Sequence, residues 1–172
     1  ISMSLIARER NLGTMEIIST LPLKNHEFVI GKYLAVVSLI LIGLLVTFVH
    51  YFTLINVGTN VDYGAAFCGY FGLALVGALY ASAGIFSSSL TDNQVVSFII
   101  AVFIVIVFWL MDKLLIFVPS GMAGLVQFLS VDYHLTSISR GVIDTRNLIY
   151  FGSVIGFFLF LTIQILGVRK WK

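Results

Sequence analysis

Chemistry has few places to reside in this chain. Of its 172 residues 59% are apolar and only 10% are charged, and much of the ionic material sits in one block. Arg8–Leu23 (RERNLGTMEIISTLPL) and the Asn25–Tyr33 run behind it (NHEFVIGKY) hold all three glutamates, Glu9, Glu16 and Glu27. Arg8, Arg10, Lys24, Lys32 and Pro22, one of two prolines, lie in or beside them. Glu9 and Glu16 are seven apart and would share a face of a continuous helix. Such an acidic and apolar face reads as a docking surface for a basic or polar cleft; the plainer reading is a solvated face. Gly13 weakens a continuous helix by ~1 kcal/mol relative to alanine, and Thr14 after it is an acceptable N-cap. Thr14–Thr20 is then expected to make two turns, with Met15 and Ile18 on one face and Glu16 near the positive end of the helix dipole. Pro22 disfavours helical backbone at Leu21 and ends the segment. Asn25 can cap the next helix, with Glu27 in its first turn. Ser2 is expected to lie outside the docking surface.

Other reactive groups are scattered. Gly31-Lys32 invites a phosphate-loop reading that fails, because Tyr33 stands where serine or threonine is needed and no glycine precedes at the required spacing. A tight helix contact and a lysine reaching lipid headgroups is the plainer account. His50 falls inside an apolar run, where an ionisable group is a functional candidate by default; a neutral imidazole hydrogen-bonded to a neighbouring helix is the plainer alternative. His26 and His134 read as interfacial and share no metal-ligand spacing with it. Ser82 and Ser97 have no partner base and no nucleophile-elbow motif, and Cys68 is alone. Asp112 with Lys113, and Arg140 with Asp144, read as ion pairs or headgroup contacts rather than a substrate site. The net charge of +2, without a basic stripe, gives no sign of nucleic-acid binding.

The elements that must position these residues are membrane helices. About 20 apolar residues cross a ~30 Å hydrocarbon core, and four runs qualify: 33–57, 64–86, 95–115 and 148–168. Ala74, Gly77, Ala81 and Gly84 fall on one face of the second, and Gly152-x-x-x-Gly156 lies in the fourth; small residues let backbones approach closely. Thr91 or Asp92 can cap the third span, and Asp144 or Thr145 the fourth. Residues 119–147 are too polar to span, and Leu125, Phe128 and Leu129 suggest a short interfacial helix. Arg8, Arg10, Lys24 and Lys32 precede the first span and Arg169, Lys170 and Lys172 follow the fourth. Seven of ten basic residues therefore face one compartment, which the positive-inside tendency makes the cytoplasm. The expectation is an all-α polytopic transmembrane bundle, one domain over 1–172, with 1–32 as its cytoplasmic region.

The block E-R-x-x-G-T-x-E-x-x-x-x-x-P leading into V-I-G-K-Y-L-A, then SSSLTDNQVVSF at Ser87–Phe98 and RGVIDTRNLIYF at Arg140–Phe151, resembles ABC type-2 (ABC-2) permeases. The likeness is strongest to their gliding-motility-associated branch. The resemblance implies the ABC type-2 exporter fold and helices dipping back from the outer surface within 119–147. It also implies two further spans before Ile1 and a place in the plasma (inner) membrane. The implied partners are a second permease subunit and an ABC ATP-binding subunit that carries ATP and Mg, with no cofactor in this chain. Glu9, Arg10, Gly13, Thr14, Glu16, Pro22, Gly31 and Lys32 become the expected ATPase-coupling residues, acting through 25–32 on the first span. Gly77, Ala81, Gly84, Gly152 and Gly156 become helix-packing positions. The rival readings are a scaffolding membrane subunit without a transport cycle and, more remotely, an intramembrane enzyme.

Overall fold

The structure, a computed structural model, describes residues 1–14, 24–57, 62–114 and 119–169. A short 3-10 turn, Ser2–Ser4, leads into α1 (Ala7–Asn11). Four long helices follow, α2 (Asn25–Val57), α3 (Tyr63–Leu90), α4 (Gln94–Leu114) and α7 (Thr145–Arg169), with α5 (Ser120–Leu129) and α6 (Val131–Ser139) between the last two. All four long helices are long and apolar enough to cross a membrane. No strand occurs among the described residues.

Capping explains the boundaries and corrects two expectations. Glu27 Oε2 accepts from the Lys24 backbone N–H at 3.0 Å, so α2 is started by a glutamate reaching back one turn, half of a capping box, rather than by Asn25. α4 is capped by Asn93, whose Oδ1 accepts from the Val95 N–H at 2.9 Å, and not by Thr91 or Asp92. Asp62 caps α3 through the Gly64 and Ala65 N–H groups, and Asp144 caps α7 through that of Arg146. α3 runs four residues beyond the expected Phe86, because the Ser87 and Ser89 hydroxyls donate to carbonyls one turn back, at 2.8 and 2.7 Å. A serine satisfied in this way can sit in a buried helix.

α3 is the central helix and touches α2, α4, α6 and α7. Half of its apolar window is buried, against 11% for α2 and α4. Its glycines explain the difference. A Cβ at Gly72 would stand 2.8 Å from Leu135 Cδ1 of α6, and one at Gly77 2.9 Å from Ile40 Cγ2 of α2. One core cluster joins Cys68 and Leu79 to Val131, Ile138, Tyr150 and Phe151. A second joins Ile6, Val29, Ile85 and Leu166 at the opposite end.

α5 and α6 form a broken pair whose joint, Leu129–Ser130, is tied to α7. Ser130 Oγ caps α6 by accepting from the Tyr133 N–H. The Tyr150 hydroxyl donates to the Leu129 carbonyl at 2.6 Å. His134 Nε2 lies 2.9 Å from the Phe128 carbonyl; a carbonyl only accepts, so Nε2 carries the proton. The imidazole stacks on Tyr150, centroids 4.1 Å apart; its unprotonated Nδ1 lies 2.7 Å from the terminal amide of Asn147, at the Oδ1 position, and since this Nδ1 only accepts, the amide is turned to present its NH2 there. His134 is therefore fully buried, where interfacial exposure was expected, and works as a structural clip. Phe128 and Leu129 are half exposed, consistent with a helix at an interface.

Replacing His134 with alanine removes the donor to the Phe128 carbonyl and the stack on Tyr150. An unsatisfied buried acceptor costs about 1–3 kcal/mol. The expected result is a lower unfolding temperature, with faster amide exchange confined to α5 and α6. Unchanged exchange in that hairpin would show that His134 does not hold it.

Candidate functional site at the N-terminal wedge

Residues 1–14 form a wedge seated on α2, α3 and α4. The seat is made by Gly84, where an added Cβ would collide with the Ser2 side chain, its Cβ only 2.9 Å away. Ser2 was expected only to lie outside the docking surface; here it packs on α3, and a lysine in its place would break this seat. Ile6 is the buried peg of the wedge, packed with Val29 of α2, Ile85 of α3 and Leu166 of α7.

Polar bonds fasten the peg. The Ile6 and Ala7 N–H groups both donate to Ser88 Oγ at 2.9 Å. The first N–H groups of a helix have no intrahelical acceptor, so Ser88 of α3 serves as the cap that α1 lacks in its own sequence. The Ser97 hydroxyl of α4 donates to the Met3 carbonyl at 2.6 Å. Arg10 returns the favour to α3, its Nη1 donating to the Ser89 carbonyl at 3.1 Å and pairing with Asp92 at 3.0 Å. A guanidinium on the last carbonyls of a helix suits its dipole.

Lys32 ties the wedge to α2. Its Nζ lies 2.7 Å from Glu9 Oε1, donates to the Leu5 carbonyl at 2.8 Å, and sits 4.8 Å above the Phe28 ring. Its side chain is 14% exposed and that of Glu9 30%, whereas Asp92 is 67% exposed. Exposed pairs contribute ~0–1 kcal/mol, so the Arg10–Asp92 pair is weak by itself and Arg10 matters more as a carbonyl donor. The sheltered Lys32–Glu9 pair is the stronger link, since leaving one partner alone in such a place is costly. Glu9 Oε2 is enclosed without a hydrogen-bond partner among the described residues, an acceptor that one further donor could meet.

Gly13 ends α1 with φ of +71°, a left-handed conformation that glycine adopts without penalty. The Thr14 hydroxyl then donates back to the Glu9 carbonyl at 3.0 Å, fixing the direction in which the chain leaves the wedge. Glu16 and Pro22 lie outside the described residues. Glu9, Arg10, Thr14 and Lys32 thus come together, with three of their charges turned inward on the wedge. Gly31 does not join them: it is exposed, with open space around a would-be Cβ, so none of the described residues makes the tight contact considered for it. Ala81 is buried on α3. Gly152 and Gly156 have nothing within 4 Å of an added Cβ, so no helix among the described residues closes on them. His50 is exposed on α2, and its imidazole bonds to no neighbouring helix among the described residues. Among those residues no group of three potential metal ligands converges.

Sequence reasoning missed Ile6, Ser88, Ser89 and Ser97. Three consecutive serines closing an apolar run were the available signal, because a buried hydroxyl needs a partner and three together mark a polar seam.

The fold and this junction define a multi-pass helical membrane protein whose charged end is built into the bundle. The family model described as ABC-2 family transporter protein matches residues 1–140. The chain belongs to that family, whose members are membrane components of ABC transporters rather than catalytic subunits and pair with an ATP-binding subunit. No curated protein and no solved structure matches it significantly.

Alanine at Gly84 and at Gly152 should act with opposite sign. Gly84→Ala forces Ser2 off its seat, and overpacking of this kind costs about 1–3 kcal/mol. Gly152→Ala meets open space and gains up to ~1 kcal/mol of helix propensity. Trypsin cleavage at Arg8 and Arg10 should quicken for Gly84→Ala alone; equal cleavage in both variants would mean that the wedge is not held by close approach to α3.

Proposed function

We propose that this chain is the permease of an ATP-driven exporter of the gliding-motility-associated type, working as one of two permeases with separate ATP-binding subunits in the plasma membrane. Both ends of the chain face the cytoplasm, in keeping with the seven basic residues there. The observation that carries the reading is the seating of residues 1–14. The residues just before the expected coupling helix are bonded to three spans at once: α2 through Lys32, α3 through Ser88 and Ser89, and α4 through Ser97.

In the proposed cycle ATP closes the ATPase pair, and the segment Thr14–Thr20, seated in a groove of that partner, moves with it. Its displacement reaches the wedge through Thr14 and Glu9, and α2 through Lys32. The route first read from the sequence ran through 25–32 alone; the wedge adds α3 and α4 to the elements that feel the stroke. Glu9 Oε2, open to another donor, suits a hydrogen bond made in only one state of the cycle.

Glu16→Lys is the test. A change on an exposed helix alters stability by less than ~0.5 kcal/mol, whereas like charges set together at a complementary interface cost several kcal/mol. The variant should insert and fold normally while losing the co-purified ATPase or the cargo response of its hydrolysis rate. Val142→Lys, at an exposed site on the opposite side of the bundle, should match the parent. If Glu16→Lys also matches the parent in both readouts, the scaffolding reading takes precedence.

A further inference from the structure

A cavity of about 350 Å³ lies between α2 and α3, beside the seat of the wedge. Val36, Leu39 and Ile40 form its α2 wall, Gly77, Tyr80 and Ala81 its α3 wall, and Ile1 and Ser2 close the end toward α1. Two close approaches frame it, Ile40 on Gly77 and Ser2 on Gly84. Ala81, one turn from each along the same face of α3, offers only a methyl group, so the space between the two contacts is left unfilled. Its volume is more than twice the ~150 Å³ of an apolar cavity that takes up benzene.

The cavity lies deep in the bundle. α3 has 28 residues, ~42 Å at 1.5 Å per residue. Gly77 is 14 residues from Tyr63, ~21 Å along the helix. A hydrocarbon core of ~30 Å laid anywhere within α3 therefore contains Gly77, at least ~9 Å from either face of the core. Val36 and Ala81 at the back of the cavity are buried, whereas Leu39 at its rim is 52% exposed. Ile42 and Val46, beyond the rim on α2, are exposed as well. The opening is thus on an apolar flank at a level that headgroups and water do not reach.

A void there forfeits packing contacts along all its walls, and hydrocarbon lies outside its rim. Of the lining residues only Ser2 and Tyr80 carry a polar side chain, and none of these side chains is charged. We propose that the cavity binds one acyl chain of a bilayer lipid, which enters past Leu39 with its methyl end and lies between Ile40 and Ala81 as far as Ser2. Ser2 meets Gly84 on its other side, so the lipid tail forms part of the wall that holds the wedge. The site depends neither on the direction of transport nor on which end of the chain faces the cytoplasm.

Photolabelling of the intact protein in vesicles tests this. The probes are two phosphatidylcholines, one with a diazirine near the methyl end of an acyl chain and one with it beside the ester. The methyl-end probe should leave adducts on Leu39, Ile40 and Ser2, and the ester probe should not. Leu39→Trp, at the exposed rim, should cut those adducts about tenfold, the loss that about 1.4 kcal/mol of binding produces. Ala81→Leu, which fills the cavity from the back, should do the same. Adducts on Phe103, exposed on α4, report ordinary lipid contact and should persist in both variants. Equal labelling of Leu39 and Phe103 that neither variant alters would mean ordinary lipid contact only, and would overturn the site. Absence of adducts from Ile40 and Ser2 in the parent would mean that no acyl chain enters, and stronger labelling of the lining by the ester probe would place the occupant at headgroup level. Either result overturns the proposal.

Discussion

Close approach to α3 is the constraint on which the other contacts depend. Lipid offers no hydrophobic drive between helices, so association rests on packing and on polar bonds, both of which need short distances. α3 supplies them with three glycines at three heights: Gly72 admits α6, Gly77 admits α2, and Gly84 admits the wedge. Each of these contacts in turn brings a polar group within reach. Ser88 can accept the Ile6 and Ala7 N–H groups only because Ser2 lies directly on Gly84. The same economy leaves α2 and α4 mostly open, with broad apolar faces toward lipid or another subunit.

Backbone that leaves a helix near the membrane must be satisfied within the protein, and the two such places here use side chains as surrogate caps. At the wedge Ser88, Ser97, Arg10 and Lys32 serve the backbone of residues 1–14 and the last turn of α3. At the α5–α6 joint Ser130, His134 and Tyr150 do the same. The donors differ for a reason. The wedge, near water, uses charged donors whose desolvation is partial, while the hairpin uses a buried imidazole and a phenol.

The sequence made the bundle legible and the junction only partly so. Length and hydropathy are local properties, so four helices long and apolar enough to cross a membrane could be foreseen, although α2 begins at Asn25, eight residues before the expected first span. Helix ends were less certain because capping depends on which neighbour the side chain prefers: Asp92 looks like a cap by position, yet it turns to Arg10 and leaves Asn93 to start α4. The charged block was read as a docking surface, whereas Glu9, Arg10 and Lys32 of that block pair within the protein. Glu9 and Lys32 are 23 residues apart in sequence, and only the return of the chain along α2 shows that they pair. His134 was misplaced for the same reason, since its partners Phe128, Asn147 and Tyr150 come from two other elements, α5 and α7. Ile6 carried no sequence signal, being one apolar residue among many.

One helix connects the two ends. The wedge rests on α3 at Gly84 and the hairpin leans on it at Gly72, twelve residues or ~18 Å away along a single helix. The stretch between them is uninterrupted by proline and closely packed, so it moves as a unit rather than bending. In the proposed cycle a tilt imposed on the cytoplasmic end would therefore reappear at α6 with opposite displacement, pivoting near Gly77 where Ile40 of α2 bears on it. Asp132 stands in the first turn of α6, so that displacement changes its distance to Lys113 on α4. That contact is the longer of the two that Lys113 makes, 3.7 Å against 3.0 Å to Asp112, so a displacement of α6 acts on it while the Asp112 pair, within α4, stays as it is.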